Sequence, residues 1–470
     1  MNDPRPPGAE SAKELAENYL ALPEHSDEAL ASQFVIRSSE KYRYVNPWGR
    51  WLFYDGTRWV QDRTLRVPNA MRSMCAEIAR LVTTDKGLSV SARERVSAEI
   101  ASAHKIYAAL RLATGDRLLA MDSDVWDADP WLLNTPTGTI DLRTAALHKH
   151  NRENYITKQT AVGSSGDCPL WRELLRDWTD NDDELVAFLQ RFVGYALTGT
   201  ISEHALLFFY GSGANGKSTF LNAIIELLGD YCQVAAMETF VETKGERHPA
   251  DLAILHGARL VVAQETEEGH RWATSRIKAL TSGDMITARH MRQDFFSFKP
   301  AFKLLFAGNH RPGLRQVDEA MRRRINLVPF KVTIPTDKRD ASLPDKLRSE
   351  LPGILTWALE GCLEWQEKGL SPPESVRVAT HDYLTDEDVL AVWVEETIER
   401  DPLGFVRVAD LHANYQIWAK KFGERFMGLK RFSQVIEDRG FERGKHPKDR
   451  TRGFVGITLK AQVGETERML

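Results

Sequence analysis

The spacing of apolar residues changes period several times along the chain, and the changes mark its elements. From Lys41 to Asp62, KYRYVNPWGRWLFYDGTRWVQD, aromatic and β-branched residues alternate with polar ones, broken at Pro47-Trp48-Gly49 and Asp55-Gly56. Such alternation predicts strands joined by hairpin turns. Residues 66–115 shift to helical spacing with mixed charge, and Trp126–Leu147 returns to short strands with turns at Asp129-Pro130 and Thr137-Gly138. A helical block from Pro169 to Thr200 leads into the apolar run after Ala205. Three further apolar runs follow: ARLVVAQE (258–265), FKLLFA (302–307) and INLVPF (325–330). An α/β core is therefore expected from about Ile201 to Phe330. Pro335 and Pro344 punctuate its exit, helical segments reach about Lys368, and Ser371-Pro372-Pro373 reads as a hinge.

A chain of 470 residues has room for about three domains with sizeable cores. Its net charge of −4 means that any basic surface must be local. Cys75, Cys168, Cys232 and Cys362 lie far apart with no C-x-x-C pair, which argues against a zinc ribbon and a disulfide framework. No signal-peptide pattern opens the sequence, and no run approaches the 18 or so apolar residues of a membrane span. These features predict a soluble, cytoplasmic protein without membrane partners.

The segment Ala205–Phe220, ALLFFYGSGANGKSTF, carries the sharpest chemistry. Gly211, Gly216, Lys217 and Ser218 satisfy G-x-x-x-x-G-K-[ST], with Gly213, Asn215 and Thr219 completing the loop. Glycines let backbone N–H groups curl around a β-phosphate, Lys217 reaches the β- and γ-phosphates, and the Ser218 hydroxyl ligates magnesium. The helix that follows, from about Thr219 to Leu228, aims its positive end at the same anion. An ordinary glycine turn does not account for Lys217 and Ser218 together. The pattern predicts ATP and Mg2+ as ligands.

A nucleotidase also needs carboxylates at the end of a neighbouring strand, for the metal and for the attacking water. Glu265 and Glu267 supply them after ARLVVAQ, and which of the two is the base is open from spacing alone. Asn309, after FKLLFAG, can hold the water or γ-phosphate, although Asn is also common in plain turns. Arg322, Arg323 and Arg324 precede INLVPF. Such a run is often only a solvated face, yet the site still lacks a cation for transition-state charge.

The ordered set GSGANGKST, RLVVAQETEEG, KALTSGDMITARHMRQDFFSFKPAFKLLFAGNHRP and DEAMRRRINLVPF resembles superfamily 3 helicases, closest to the phage and plasmid primase-helicase family that includes the poxvirus-type primase-helicases. WGRWLFYDGTRWVQD, DPWLLNTPTGTIDLRT and FLQRFVGYALTG resemble that family's preceding domain, so the likeness covers about residues 40–460. The chain departs from the family's usual Asn-Gly at Thr137-Gly138, from a second Gly near Ala145, and from a frequent aromatic at Arg322. The resemblance implies nucleotide binding at Lys217 and Ser218, an acidic motif at Glu265 and Glu267, a polar sensor at Asn309, and a trans-acting arginine at Arg323 or Arg324, with spacing favouring Arg324; Ser218 and Glu265 are the expected metal contacts, with the division of roles between Glu265 and Glu267 open. It also implies a homo-hexameric ring, 3′ to 5′ movement on single-stranded DNA and a magnesium-ATP requirement.

Two regions are candidates for DNA. Asp284–Lys299, DMITARHMRQDFFSFK, reads as two strands around Met291–Asp294. In superfamily 3 rings this hairpin enters the channel, which makes Arg292 the phosphate contact, flanked by Arg289, His290 and Lys299; a surface hairpin with incidental charge is the alternative. Lys278 could be a structural partner or a second contact. Farther on, a helix Asp386–Arg400, a strand Phe405–Val408, helices Ala409–Phe422 and Leu429–Arg439, and strands Phe441–Arg443 and Phe454–Leu459 follow the order of a winged helix. Residues 401–460 hold 13 Lys plus Arg against 7 Asp plus Glu, a local +6. Lys430, Arg431, Lys445, Lys448, Arg450 and Arg452 are placed for phosphate contact, unless the wing serves protein partners.

The expected architecture is α/β: an AAA+-like P-loop ATPase core with an α+β N-terminal domain, a helical collar and a C-terminal winged helix. Its boundaries are a tail at 1–30, the α+β domain at 31–165, the collar at 166–200, the ATPase at 201–345, a helical linker at 346–380, the winged helix at 381–460 and a tail at 461–470. The expected function is an ATP-dependent ring helicase acting on single-stranded and forked DNA in replication of a phage, plasmid or integrated element. A loader or origin-assembly ATPase that does not unwind is the alternative. Priming by this chain alone is not expected, since no two-metal carboxylate cluster or zinc module accompanies the core; a separate primase is a possible partner.

Overall fold

The computed structural model describes residues 23–243, 250–265, 269–289, 294–314, 317–422, 426–446 and 448–460. Two compact units result, one of residues up to 311 plus 323–377, the other of 312–322 plus residues from 378 onward. The segment 312–322 thus belongs with the C-terminal unit, although the apolar pattern groups it with the α/β core.

The first unit begins with helices Asp27–Ser38, Arg66–Thr83, Val90–Ile100 and Ala103–Ala113, whose Leu30, Phe34, Met71, Cys75, Ile100 and Ala109 share one core. Strands β1 (Tyr42–Val45), β2 (Arg50–Tyr54), β3 (Trp59–Gln61) and β4 (Ala120–Met121) form a sheet in the order β3-β2-β1-β4. The turns expected at 47–49 and 55–56 connect β1 to β2 and β2 to β3. A second meander follows in β5 (Leu132–Thr135), β6 (Gly138–Asp141) and β7 (Ala146–His148).

Helices Pro169–Trp178 and Asp183–Leu197 then pack on the long helix Leu343–Lys368. Glu350 of the long helix accepts the backbone N–H groups of Leu170 and Trp171 at 3.1 and 2.9 Å, satisfying donors that the first turn of a helix leaves free. A Cβ at Gly194 would lie 2.1 Å from the backbone nitrogen of Cys362, so these two helices meet backbone to backbone.

The centre is a five-stranded sheet of β8 (Leu206–Tyr210), β9 (Cys232–Val234), β10 (Leu260–Glu265), β13 (Lys303–Gly308) and β14 (Ile325–Pro329), in the order β14-β8-β13-β10-β9. Every pairing in it is parallel. Residues 206–209 of β8 and all of β13 are buried, as near-continuous apolar runs require when helices cover both faces. A separate antiparallel hairpin, β11 (Ile286–Arg289) with β12 (Phe295–Phe298), lies between β10 and β13 in sequence.

The second unit contains helices Val389–Thr397, Val408–Lys421 and Leu429–Asp438 and a sheet of β15 (Ile398–Arg407), β16 (Arg443–Lys445) and β17 (Arg452–Leu459), ordered β15-β17-β16. The helix expected to reach Arg400 ends at Thr397. Ile398 instead pairs with Leu459, and the strand runs on to Arg407 through an irregularity between Arg400 and Phe405. Pro402 lies inside that irregular stretch, where its missing N–H costs no ladder bond. Trp393, Tyr415, Phe432 and Phe454 form the core of this unit. Among the described residues, no helix is long and apolar enough to cross a membrane.

Candidate functional site

Strand register brings three separated sequence motifs to one edge. Tyr210 pairs with Gly308, and Gly308 pairs with Glu265, so β8, β13 and β10 all end on one line. Asn309 and the loop from Gly211 follow directly from that line, and Glu265 ends β10 on it. Crevices at the carboxyl ends of parallel strands are where open α/β sheets bind ligands.

The loop takes backbone conformations that favour glycine. Gly213 and Gly216 have φ of +99° and +90°, and a Cβ on Gly216 would come within 2.4 Å of the Trp178 indole. Trp178 is therefore a wall behind the loop. It falls in the helical block expected at 169–200, but nothing in the sequence singled it out as the residue facing Gly216. Asn215 is buried and donates to the Phe330 carbonyl at 3.0 Å, which ties the loop to the strand β14 exit. Ile334 N–H donates to the Ala214 carbonyl at 2.7 Å from the same exit segment.

Lys217 opens the helix Lys217–Leu228, two residues earlier than expected. Its Nζ donates to the Gly211 carbonyl at 2.9 Å and to Asn215 Oδ1 at 3.0 Å, and stands 3.5 Å from Asn309 Oδ1. Burial lowers its pKa, because desolvation disfavours the ammonium. The side chain is thus more enclosed than a ligand-facing lysine needs to be. Ser218 is exposed beside it and Thr219 is partly exposed. A Cβ at Gly213 would meet nothing within 4 Å, so the outer side of the loop is open. A concave glycine loop, an adjacent ammonium and an exposed hydroxyl at a helix N-terminus fit a polyphosphate with a hard cation. Glu265 ends β10 at the same edge. Glu267 lies outside the described residues. Among the described residues, no group of three or more His, Cys, Asp and Glu could hold a metal. Magnesium at such a loop takes most of its oxygens from phosphate and water, so one hydroxyl and one carboxylate suffice.

The arginines separate clearly. Arg322 ends the short helix Glu319–Arg322 in the second unit. Arg323 is exposed, whereas Arg324 is 5% exposed and its Nε donates to Thr281 Oγ1 at 2.9 Å. Arg324 also carries the backbone carbonyl that accepts Leu206 N–H at 2.8 Å, locking β14 against β8. Arg311, not singled out from the sequence, places its guanidinium 5.7 Å from the centre of the Tyr210 ring.

On the hairpin, Arg289 pairs with Phe295 in register and its guanidinium lies 4.8 Å from that ring's centre. Phe295 is 59% exposed and Lys299 is exposed. His290 and Arg292 fall outside the described residues. In the second unit, Lys430, Arg431, Lys445, Lys448, Arg450 and Arg452 are all exposed, and Lys445 faces Arg452 across the β16–β17 pair. The loop between those strands is held by Asp449, which accepts from Thr451 and pairs with Arg407 at 2.9 Å. Those partners hold its carboxyl at a pKa of about 2.

The fold and its edge thus define a mixed α/β protein built on a parallel sheet, with a glycine loop, the Asn309 amide and the end of β10 at one rim. Residues 29–180 match the D5 N-terminal-like family, and residues 209–324 match DUF5906, a family of unknown function. A protein of Acanthamoeba polyphaga mimivirus with the provisional name of helicase is 26% identical over 260 residues, 51% of this chain and 27% of that protein. A provisionally named helicase of Frog virus 3 is 26% identical over 257 residues, 50% of this chain and 26% of that protein. A provisionally named primase of African swine fever virus is 25% identical over 217 residues, 44% of this chain and 22% of that protein. The chain therefore spans only about a quarter of the length of these curated relatives. The apo structure of the NrS-1 C-terminal region superposes with a TM-score of 0.51 at 10% identity, covering 88% of this chain and 95% of that one, a likeness of fold. The chain thus resembles the D5 N-terminal-like family over residues 29–180 and, over about half of its length, virus proteins provisionally named helicases and primases.

Proposed function

We propose that the protein is an ATP-driven DNA helicase of the superfamily 3 type, working as a homo-hexameric ring that moves 3′ to 5′ on single-stranded DNA during replication of a mobile or viral element. The observation that carries this reading is the alignment of Tyr210, Gly308 and Glu265 across β8, β13 and β10. It supports an AAA+-like core in which the residues after each strand end act on one nucleotide.

Magnesium-ATP would be held by Gly211, Gly213, Asn215, Gly216, Lys217, Ser218 and Thr219, with Ser218 and Glu265 at the cation, and supplies the phosphoanhydride bond whose cleavage powers movement. For ATP to be seated, Lys217 must exchange the Gly211 carbonyl and Asn215 amide for phosphate oxygens. Both acceptors lie within 3.0 Å of Nζ, so a small side-chain rotation suffices. Glu265 or Glu267 orients and deprotonates the attacking water, and Asn309 aligns it.

The trans-acting arginine is assigned to Arg323. A finger must leave its own subunit to reach a neighbour's γ-phosphate, and Arg323 is exposed while Arg324 is enclosed against Thr281. The spacing that favoured Arg324 is better explained by its place as the residue locking β14 to β8. For DNA, the β11–β12 hairpin would grip the backbone in the channel through Arg292, flanked by Arg289, His290 and Lys299. The second unit, read as a winged helix, would hold duplex through Lys430, Arg431, Lys445, Lys448, Arg450 and Arg452 without reading sequence.

ATP hydrolysis measured with and without single-stranded DNA, beside sizing of the assembly, tests the reading. Hydrolysis stimulated by DNA in an oligomer is the expected result. A chain that neither binds nor hydrolyses ATP under any of these conditions removes it.

A further inference from the structure

The segment 312–322 separates Asn309 from Arg323 by only a few residues at each end, yet it is built into the second unit. Leu314, Val317 and Met321 of the segment are buried. The Tyr383 hydroxyl donates to the Pro312 carbonyl, and Leu314 N–H donates to Glu387 Oε2 at 2.6 Å. At the other end, Arg322 Nη2 lies 3.4 Å from Asp388 Oδ2.

Asp388 is the centre of this attachment. Its side chain is 6% exposed and carries three loads: Arg322, Arg439, and the Ala391 N–H that it caps at 3.1 Å. Arg439 follows directly on the helix Leu429–Asp438, which opens with Lys430 and Arg431. One enclosed carboxylate therefore joins the residue before Arg323 to the end of the helix that opens with Lys430 and Arg431. A carboxylate shared by two guanidiniums is geometrically demanding, because each fork restricts where the other can sit.

We propose that Asp388 is a positioning residue for ATP turnover: through Arg322 it sets where Arg323 stands, and through Arg439 it makes that position depend on DNA held by the second unit. The inference rests on the ATPase reading above and adds the route by which the second unit acts on it. Because peptide bonds join residue 311 to 312 and residue 322 to 323, a shift of 312–322 with its unit must displace the chain at Arg323 and next to Asn309.

The test uses the full-length protein, poly-dT and steady-state ATP hydrolysis. Arg322→Gln and Asp388→Asn should each lower DNA-stimulated kcat by about 2- to 30-fold, the range that coupling residues usually command, with KM for ATP unchanged. The double variant should be no worse than either single one, and Asp388→Glu should restore part of the loss. Arg439→Gln should lose DNA stimulation while basal turnover stays at the wild-type level. Arg322 is 36% exposed, so its variant remains informative if Asp388→Asn does not fold. Wild-type kcat and stimulation in both Arg322→Gln and Arg439→Gln would overturn the inference, as would losses that appear in KM alone. A wild-type protein without ATPase activity would instead overturn the functional reading itself.

Discussion

The ammonium of Lys217 stands 3.5 Å from the amide oxygen of Asn309, 92 residues away in sequence, at the shared end of β8 and β13. The two residues come from different motifs, and parallel register alone brings them together. Lys217→Ala is therefore expected to do more than remove a phosphate contact. It leaves the Gly211 carbonyl and Asn215 amide without their donor, at about 1–3 kcal/mol for enclosed groups. ATP hydrolysis should fall to background, with a small drop in melting temperature. Near-normal turnover in this variant would rule out the loop as the nucleotide site.

Glu265→Gln should bind ATP as the wild type does and stop turning it over, because the amide keeps the shape and loses the charge. Nucleotide binding by fluorescence, run beside steady-state hydrolysis, separates the two steps. A more damaging Glu267→Gln would reverse the order of the pair.

The neighbouring arginines should fail in different ways. Arg323→Ala should lower kcat by about 10³-fold at unchanged stability, and a mixture with Lys217→Ala subunits should regain activity at interfaces that unite an intact loop with an intact finger. Arg324→Ala should instead melt earlier, because it removes a buried bond to Thr281 worth about 1–3 kcal/mol. No recovery in the mixture despite subunit exchange would argue against a finger in trans.

Alkaline pH offers a test of the core. Burial pushes the Cys168 and Cys362 thiols up from 9.0 to about 11, and the Tyr231 phenol from 10.0 to about 12. Each keeps in the folded chain a proton that the unfolded chain gives up. Their contribution is full below the unfolded values and is lost as pH rises through 11 to 12. Lys303 acts with the opposite sign: burial lowers its pKa well below 10.5, so its effect on stability improves as pH rises toward that value. The three raised groups outnumber it, so the melting temperature should fall above pH 9. Lys303→Met should make that fall steeper.

The two DNA elements should separate as well. Arg292→Ala should keep basal hydrolysis and lose both stimulation and unwinding. Neutralising Lys448, Arg450 and Arg452 together should weaken duplex binding and flatten its salt dependence, by up to about 0.9 log–log units for each phosphate left without its cation. Basal hydrolysis should persist in that variant, since none of the three touches Arg322 or Asp388.

Much of the site is legible in the sequence because local spacing encodes it. The glycine loop, the strands at 260–265 and 303–308 and the hairpin around 291–294 each carry their own period and breakers. Arg324 was not legible in this way: a run of three arginines gives no sign of which one turns inward, and that depends on Thr281, 43 residues away. Trp178 reads as any apolar helix residue until its ring is seen against Gly216. The assignment of 312–322 to the second unit was hidden for the same reason, because it rests on Tyr383, Glu387 and Asp388, long-range partners with no motif. The helix expected to reach Arg400 was misjudged because β-pairing of Ile398 with Leu459 outweighs local helical spacing.

Strand separation on a forked DNA duplex, with magnesium and ATP and with Lys217→Ala as control, tests the central claim most directly. The account predicts that the wild-type oligomer displaces the strand when a 3′ single-stranded tail is present, and that Lys217→Ala does not. ATP hydrolysis and DNA binding without strand displacement would contradict it, and would make the protein a DNA-loading ATPase instead.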